Sequence, residues 1–165
     1  MRCQQAWDVL DTVLDPEVPA LSVRELGLVR DVVERGDTLD IVLTPTYSGC
    51  PATEVIERSV IDAIDAAGIG PARVTLQRAP AWTTDWISET GKRKLLEYGI
   101  APPGPVAAEH AVTIRIVGRR ADAAIACPRC GSHHTERLSA FGSTACKSLH
   151  RCLDCREPFE HFKAI

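Results

Sequence analysis

The sequence of 165 residues predicts an α+β fold, in which a small αββαβα sandwich precedes a β-rich, cysteine-rich module. Helical and strand-like hydrophobic patterns alternate over residues 1–100. The segment APPGPVAAEH, 101–110, places three prolines and a glycine in its first five residues, which suits neither a helix nor a central strand. Five of the seven cysteines follow, between Cys127 and Cys155. We therefore expect a first domain at 1–100, a proline-rich linker at 101–110 and a second domain at 111–165.

The elements of the first domain follow from apolar spacing and from helix start and stop signals. Ser22 and Glu25 have the spacing of a short capping box, and Gly27 ends that turn. Gly36-Asp37 separates two apolar runs and predicts a hairpin. The predicted elements are a helix at 3–14, strands at 28–35 and 38–44, a helix at 52–67 behind Pro51, a strand at 72–77, and a helix at 86–98 capped by Asp85.

The second domain has a repeated cysteine spacing. Cys127-x2-Cys130 and Cys152-x2-Cys155 are separated by 21 residues. Two residues between cysteines let both thiolates face one tetrahedral metal ion, so the pattern predicts a structural zinc ribbon with strands at 111–117, 133–139, 147–152 and 157–163. Four thiolates also suit a mononuclear iron or an iron–sulfur cluster, and that alternative stays open.

Other candidate ligands lie beside this set. Cys146 is an extra thiol that could replace Cys152, although it is too distant from Cys155 to form a knuckle with it. The histidines are weaker candidates, because four cysteines already complete the ligand set. We therefore expect the histidines to be strand-surface residues. They are His133, His134, His150 and His161.

The charge is uneven along the chain. Residues 1–100 carry 10 Lys and Arg against 16 Asp and Glu, whereas residues 101–165 carry 9 against 6. Four thiolates and one Zn²⁺ would lower the net charge of residues 101–165 from +3 to +1. So small a positive charge offers little attraction to phosphates, and we therefore expect no nucleic-acid partner. No apolar stretch approaches the ~20 residues of a membrane helix. The N-terminal stretch MRCQQAWDVLD contains acidic residues too early for a secretory signal peptide. We expect a cytoplasmic protein that does not enter a membrane.

Cys50 is isolated, in the stretch TPTYSGCPATEV before a predicted helix. A helix N-terminus favours a thiolate, and Asp15 and Glu17 lie in a loop that borders the same sheet. A cysteine hydrolase would need a histidine, and none precedes His110. Cys50 with one carboxylate cannot complete an iron–sulfur site, so a homodimer, small thiols or a client would supply the rest. A buried structural cysteine remains the alternative.

Several motifs together resemble known families. DPEVP, ELGLVRDV, TPTYSGCP and APAWTTDWISETGKRKLLEYGI resemble the metal-sulfur cluster assembly domain of SufT-type iron–sulfur maturation factors. The tail CPRCGS…FGSTACKSLHRCLDCREPFEHFK resembles the zinc-ribbon extension of the PaaD (PaaJ) family. The resemblance covers nearly the whole chain.

The resemblance implies an accessory protein of the phenylacetyl-CoA epoxidase system, a di-iron monooxygenase of phenylacetate catabolism. It implies transient iron or an iron–sulfur cluster at Cys50, with Asp15 and Glu17, and structural zinc on the four knuckle cysteines. The expected partners are the oxygenase and reductase subunits. The chain lacks paired Glu-x-x-His motifs and a glycine-rich dinucleotide loop, so we expect an assembly factor that is not an enzyme. A non-catalytic structural subunit is the alternative.

Two further groups have open interpretations. Trp82 and Trp86 are either a client-docking surface or core residues. The basic run 92–94 either meets a CoA phosphate or an acidic partner, or forms a solvated helix face.

Overall fold

The computed structural model describes residues 1–47, 49–106 and 124–165. The chain divides into two compact units, Met1–Leu95 and Leu96–Ile165. The helices and strands are α1 (Arg2–Leu10), β1 (Val29–Arg35), β2 (Thr38–Leu43), α2 (Thr53–Ala66), β3 (Ala72–Leu76), a 3₁₀ turn (Thr84–Trp86), α3 (Glu89–Tyr98), β4 (Ile100–Ala101), β5 (Thr135–Ser139), β6 (Lys147–Cys152) and β7 (Pro158–Phe162).

The first unit is built on a three-stranded sheet in the order β1-β2-β3. β1 and β2 form an antiparallel hairpin, and β2 and β3 run parallel. Parallel neighbours need a long connection, which α2 provides. β2 is therefore central, and its apolar residues Leu39, Ile41 and Leu43 are all buried.

Apolar residues on the helices cover this sheet. Ile56, Val60 and Ile64 recur every four residues along α2 and are buried, as are Ala6 and Leu10 of α1. This spacing puts each set on one helix face, which is the pattern that the sequence predicts.

The turn at residues 22–27 positions the loop between α1 and β1. The Ser22 N–H donates to Glu25 Oε2 (3.0 Å), and the Glu25 N–H donates to Ser22 Oγ (3.1 Å). These reciprocal bonds confirm the predicted capping box. Gly27 follows with φ +74°, and a Cβ at this position would lie 2.5 Å from the Trp86 carbonyl oxygen. Only glycine combines this backbone conformation with so close an approach.

Two helices begin or end at other positions than expected. The predicted helix 3–14 ends at Leu10, where Thr12 Oγ1 donates to the Val9 carbonyl (2.7 Å). α3 begins at Glu89, because Ser88 Oγ accepts from the Gly91 N–H (3.0 Å) and caps it. Asp85, the expected cap, lies in the preceding 3₁₀ turn.

The second unit contains a four-stranded sheet in the order β4-β7-β6-β5. β6 pairs antiparallel with both β5 and β7, and the short β4 pairs parallel with β7. Ile100 and Ala101 of β4 belong to this unit, so the contact boundary precedes the proline-rich segment. The predicted strand at 111–117 and the linker beyond residue 106 lie outside the described residues.

These elements confirm the predicted α+β class, with a helix-covered sheet followed by a β-rich cysteine module. Among the described residues, no helix has the length and apolarity that crossing a bilayer requires.

Asp40 is a buried charge on the central strand, and its side chain is 4% exposed. It accepts hydrogen bonds from Arg73 (3.0 Å), Thr75 (2.6 Å) and Arg35 (2.9 Å). The Arg73 hydrogen bond comes first among the causes that lower the Asp40 pKa to about 2. These bonds stabilise the carboxylate, so its contribution to folding is present above the ordinary carboxyl pKa.

We expect Asp40→Asn to lower the free energy of unfolding by about 1–3 kcal/mol at pH 7, because it weakens charge-assisted hydrogen bonds to both arginines. The loss should shrink as pH falls from about 4 to about 2, since the wild-type carboxylate is then protonated. Denaturant unfolding at several pH values measures this. Asp37→Asn, at an exposed turn, is the matched control, and equal stabilities of the two variants at pH 7 would contradict the assignment.

Candidate functional site

The structure brings four cysteine sulfurs together in the second unit. One ligand atom from each of four cysteines lies within 4.8 Å of the other three. Cys127 and Cys152 are buried, whereas Cys130 and Cys155 are exposed. The cluster therefore sits at the surface of its unit with two sulfurs facing inward. Its members are Cys127, Cys130, Cys152 and Cys155.

The spacing of the sulfurs fits one tetrahedral metal ion. Bonds of about 2.3 Å from one Zn²⁺ to four sulfurs place neighbouring sulfurs about 3.8 Å apart. The Sγ atoms of Cys127 and Cys155 are 3.7 Å apart, and those of Cys130 and Cys152 are 3.6 Å apart. An iron–sulfur cluster spreads its cysteines over several irons and would hold them further apart. The four residues present therefore fit a single ion.

Backbone hydrogen bonds shape each cysteine pair into a knuckle. The Cys127 N–H donates to the Ser132 carbonyl (2.8 Å), and the Gly131 N–H donates to the Cys127 carbonyl (2.9 Å). At the second pair, the Cys152 N–H donates to the Glu157 carbonyl (3.0 Å). The Cys155 N–H points at the Cys152 sulfur (3.5 Å), which is how a knuckle stabilises a thiolate.

Asp154 ties the two knuckles together. Its carboxylate accepts from Ser132 Oγ and contacts His134 Nδ1 (3.0 Å), and the Leu153 N–H donates to the His134 carbonyl (2.8 Å). The Ser132 hydroxyl, followed by His134, lowers the Asp154 pKa. Sequence reasoning did not assign this role to Asp154, because a single acid between two cysteines carries no spacing signal.

Cys152 and Cys155 have pKa values shifted in opposite directions without a metal. The backbone N–H of Cys155 is the largest influence that lowers the Cys152 pKa, to about 7. At Cys155, a backbone hydrogen bond from Glu157 favours the thiolate, but local desolvation and hydrogen bonds with the neighbouring sulfurs raise the pKa to about 12. One thiolate thus forms easily and further ones repel it, so a cation is needed to ionise the whole set.

Cys146 lies outside the cluster. It is buried at 4% exposure, and its sulfur contacts Thr144 Oγ1 (3.0 Å). Its carbonyl accepts from the Lys163 N–H (3.0 Å), so the residue forms part of the packing between β6 and the segment after β7.

The histidines have different environments. His133 and His134 are exposed, as expected for strand-surface residues. His150 is buried, stacks on Phe159 with ring centroids 5.5 Å apart, and shares a hydrogen bond with Ser148 Oγ (2.9 Å). Burial, followed by the charge of His150, lowers the His161 pKa to about 4. The burial of His150 and its contacts with Phe159 and Ser148 make it a core residue, not the strand-surface residue that the sequence predicts.

Cys50 lies in the first unit, on the loop between β2 and α2. It is partly exposed, its N–H donates to the Tyr47 carbonyl (3.3 Å), and its carbonyl accepts from the Thr53 N–H (3.2 Å). α2 starts three residues later, and no described side chain caps it. The expectation that Cys50 stands at the mouth of this helix agrees with the structure. No group of three metal-binding side chains forms around it within the described residues.

Asp15 and Glu17 lie in the loop after α1. Asp15 is 5% exposed, and its Oδ1 accepts from the N–H groups of Glu17 (2.9 Å) and Val18 (2.7 Å). This side chain closes its own turn, as Asp often does in loops. Glu17 is half-buried.

The tryptophans and the basic run have contacts within the first unit. Trp82 is buried at 3% exposure and donates its indole N–H to the Leu26 carbonyl (3.1 Å), so it is a core residue. The Arg30 guanidinium lies 3.6 Å from the Trp86 ring centroid. Lys92 pairs with Glu89 (2.8 Å) and Lys94 with Glu25 (2.7 Å), which favours the interpretation of the run as a solvated helix face.

The chain matches two family models. Residues 114–163 match "PaaD zinc beta ribbon domain", and residues 3–76 match "Iron-sulfur cluster assembly protein". The chain is also 45% identical over 164 residues to a protein of Escherichia coli (strain K12) that is named as a putative subunit of 1,2-phenylacetyl-CoA epoxidase. That similarity covers 99% of this chain and 94% of the relative.

Two solved structures are similar to part of the chain. A domain of unknown function, DUF59, from Bacillus anthracis is 26% identical with a TM-score of 0.52, over 57% of this chain and 91% of that one. The conserved hypothetical protein TM0487 from Thermotoga maritima is 28% identical with a TM-score of 0.48, over 56% of this chain and 91% of that one.

Each folded chain should retain one zinc ion, and Cys152→Ser should abolish that retention, because a hydroxyl is a poor zinc ligand and Cys152 is a buried member of the four-cysteine set. The zinc content per chain is measured by metal analysis after gel filtration in a buffer that contains a chelator. Zinc affinity should fall with decreasing pH, since zinc must displace protons such as that of Cys155. Cys146→Ser is the matched control and should keep its zinc. Zinc loss from Cys146→Ser equal to that from Cys152→Ser would show that the ligand set is wrong.

Proposed function

The chain belongs to the PaaD family, whose Escherichia coli relative is named as a subunit of 1,2-phenylacetyl-CoA epoxidase, and we propose that it serves that epoxidase system as a non-catalytic assembly factor. In this role Cys50 binds iron or an iron–sulfur species transiently and passes it to an oxygenase or reductase subunit. The zinc ribbon is a stable module that docks on the client. The iron is cargo, and zinc on the four cysteines is the resident metal.

The observation that carries this proposal is the contrast between the two thiol sites. Four cysteines of the second unit already supply a full tetrahedral set. Cys50 is separate from them, partly exposed, and lies inside the region that matches the iron–sulfur assembly model. A metal bound by so few protein ligands exchanges readily, which suits a carrier and does not suit a permanent redox centre.

Cys50 alone cannot complete the coordination of the iron, so other ligands must join it. Two copies of the chain would bring two Cys50 thiolates to one site, and small thiols or the client would add others. Asp15 and Glu17 are the acidic residues that we assign to this step. Because Asp15 Oδ1 already accepts two backbone hydrogen bonds, its share is to hold the loop and to place negative charge there.

The second unit has apolar side chains suited to docking. Leu138 is 49% exposed and Phe141 is 64% exposed, on β5 and the segment after it. Large apolar side chains at the surface of a small stapled domain support contact with another protein. The partner we propose is a subunit of the epoxidase.

A second candidate function is a stoichiometric structural subunit of the epoxidase, which the relative's name favours. The two functions differ in whether Cys50 matters. A structural subunit needs its surfaces but not an isolated thiol, so the Cys50 variant separates them.

We expect Cys50→Ser to abolish maturation of the epoxidase in cells while the protein stays folded with one zinc ion. Serine preserves the size of the side chain but is a far weaker ligand for iron. The measurement is epoxidase turnover in extracts of a strain that carries the variant as its only copy. Cys3→Ser is the matched control, since Cys3 is also isolated and partly exposed, and it should retain activity. Full activity with Cys50→Ser would contradict the delivery function and favour the structural-subunit function.

Asp15 offers a test of charge against loop structure. Asp15→Asn keeps an Oδ1 that can accept from Glu17 and Val18, whereas Asp15→Ala removes it. We expect Asp15→Asn to keep the stability within about 0.5 kcal/mol and to reduce iron retention, and Asp15→Ala to cost about 1 kcal/mol or more in addition. Thermal unfolding and anaerobic iron analysis measure the two effects. If Asp15→Asn retained as much iron as wild type, the carboxylate charge of Asp15 would have no part in iron binding.

A further inference from the structure

A pocket of about 60 Å³ lies at the carboxyl ends of the two parallel strands of the first unit. β2 ends at Leu43 and β3 at Leu76, and the chain leaves both at the same edge of the sheet. Loops that follow neighbouring parallel strands converge at this edge, which is where open sheets bind ligands. The lining residues are Thr44, Pro45, Thr46, Tyr47, Arg78, Ala81 and Trp82.

Thr44 lines this pocket and carries a buried hydroxyl. The residue is 1% exposed, and Oγ1 has no hydrogen-bond partner within the part of the chain that the structure describes. Its backbone is satisfied, because the N–H donates to the Leu28 carbonyl (2.9 Å). A buried hydroxyl without a partner costs free energy, so the pocket should hold a group that bonds to it.

Arg78 contributes a positive charge. Its guanidinium makes no ion pair or hydrogen bond among residues 1–47, 49–106 and 124–165. Arg35 and Arg73, in contrast, are both engaged by Asp40. The surrounding domain is acidic, with 16 Asp and Glu against 10 Lys and Arg in residues 1–100, yet none of the described lining residues is a carboxylate.

The other walls limit what fits. Trp82 uses its indole N–H in the core, on the Leu26 carbonyl, so it offers the pocket an apolar ring. Pro45 and Ala81 add further apolar surface, while Thr46 and Tyr47 bring two more hydroxyls. Hydroxyls and a guanidinium donate hydrogen bonds to negative oxygens, and the guanidinium repels cations.

We propose that this pocket is a subsite for a small oxyanion, the carboxylate or phosphate end group of a ligand. Arg78 binds its charge, and Thr44 donates a hydrogen bond from inside the pocket. A single water needs roughly 10–15 Å³ of such space, so 60 Å³ holds one such end group but not a whole nucleotide. The rest of the ligand lies outside the pocket.

The subsite adds a recognition element that the proposed delivery function does not contain. Tyr47 lines the pocket and its carbonyl accepts from the Cys50 N–H, so the oxyanion would be bound on the loop that carries this thiol. Binding of the oxyanion needs no metal at Cys50. The two proposals therefore fail separately.

Titration of the zinc-loaded full-length protein with sodium phosphate and with sodium acetate tests the subsite. Amide and indole NMR signals of Thr44, Arg78 and Trp82 are followed at constant ionic strength set with sodium chloride. We expect saturable shifts confined to the pocket with at least one of the two anions. Saturation by phosphate alone identifies a phosphate end group, and saturation by acetate alone identifies a carboxylate.

Variants locate the binding groups. Arg78→Gln should weaken binding at least about tenfold, since it removes the positive charge, and Thr44→Val about fivefold, since it removes a hydroxyl donor to a charged oxygen. Arg58→Gln, an exposed arginine of α2 that does not line the pocket, is the matched control and should bind as wild type. Cys50→Ser should also bind the anion unchanged, which keeps this result independent of iron delivery.

Thr44→Val also has a stability readout. Because the hydroxyl has no described partner, its removal should leave the melting temperature of the anion-free protein unchanged or raise it. The proposal is overturned by linear, unsaturable shifts with both anions, or by an Arg78→Gln variant that binds as Arg58→Gln does. Either result would mean that the pocket holds water only.

Discussion

The first unit depends on the parallel pairing of β2 with β3. Two parallel strands cannot be joined by a tight turn, so the chain must leave β2, cross over through α2 and return. This constraint creates the connection between Leu43 and Thr53. The connection starts at the carboxyl end of the central strand and finishes at a helix N-terminus. A buried donor such as Thr44 and a partly exposed thiol such as Cys50 can therefore occupy one short stretch.

The second unit is organised by its sulfurs instead. Among its described residues, Ala101, Cys127, Cys152 and Phe159 form one buried cluster. Two of these four are members of the candidate metal set, so the metal centre and this buried cluster share residues. The removal of a metal ion would leave like-charged or protonated thiols in the middle of the packing. A domain of this size is expected to depend on such a staple.

Sequence patterns predicted what depends on short-range spacing. The Ser22–Glu25 box, the two cysteine pairs and the helix face of Ile56, Val60 and Ile64 each lie within a dozen residues, and each is present. The patterns failed where a single hydroxyl decides a boundary, as Thr12 does at the end of α1 and Ser88 at the start of α3. His150 is buried because Phe159 of β7 packs against it across the strand pair, and no spacing pattern in the sequence marks that contact. Thr44 and Arg78 are far apart in sequence, and only the parallel register joins them.

The two thiol sites place opposite demands on metal exchange. A closed tetrahedral set, held by Asp154 and knuckle hydrogen bonds, releases its ion only when several bonds break together. In the proposed function, a lone thiol on a loop binds iron weakly and releases it. Equal strength at both sites would trap the iron on the protein, and equal weakness would unfold the zinc-ribbon unit with each transfer. Separation into two units would let one chain keep zinc while it gives up iron, because the ligand count of each site sets its strength.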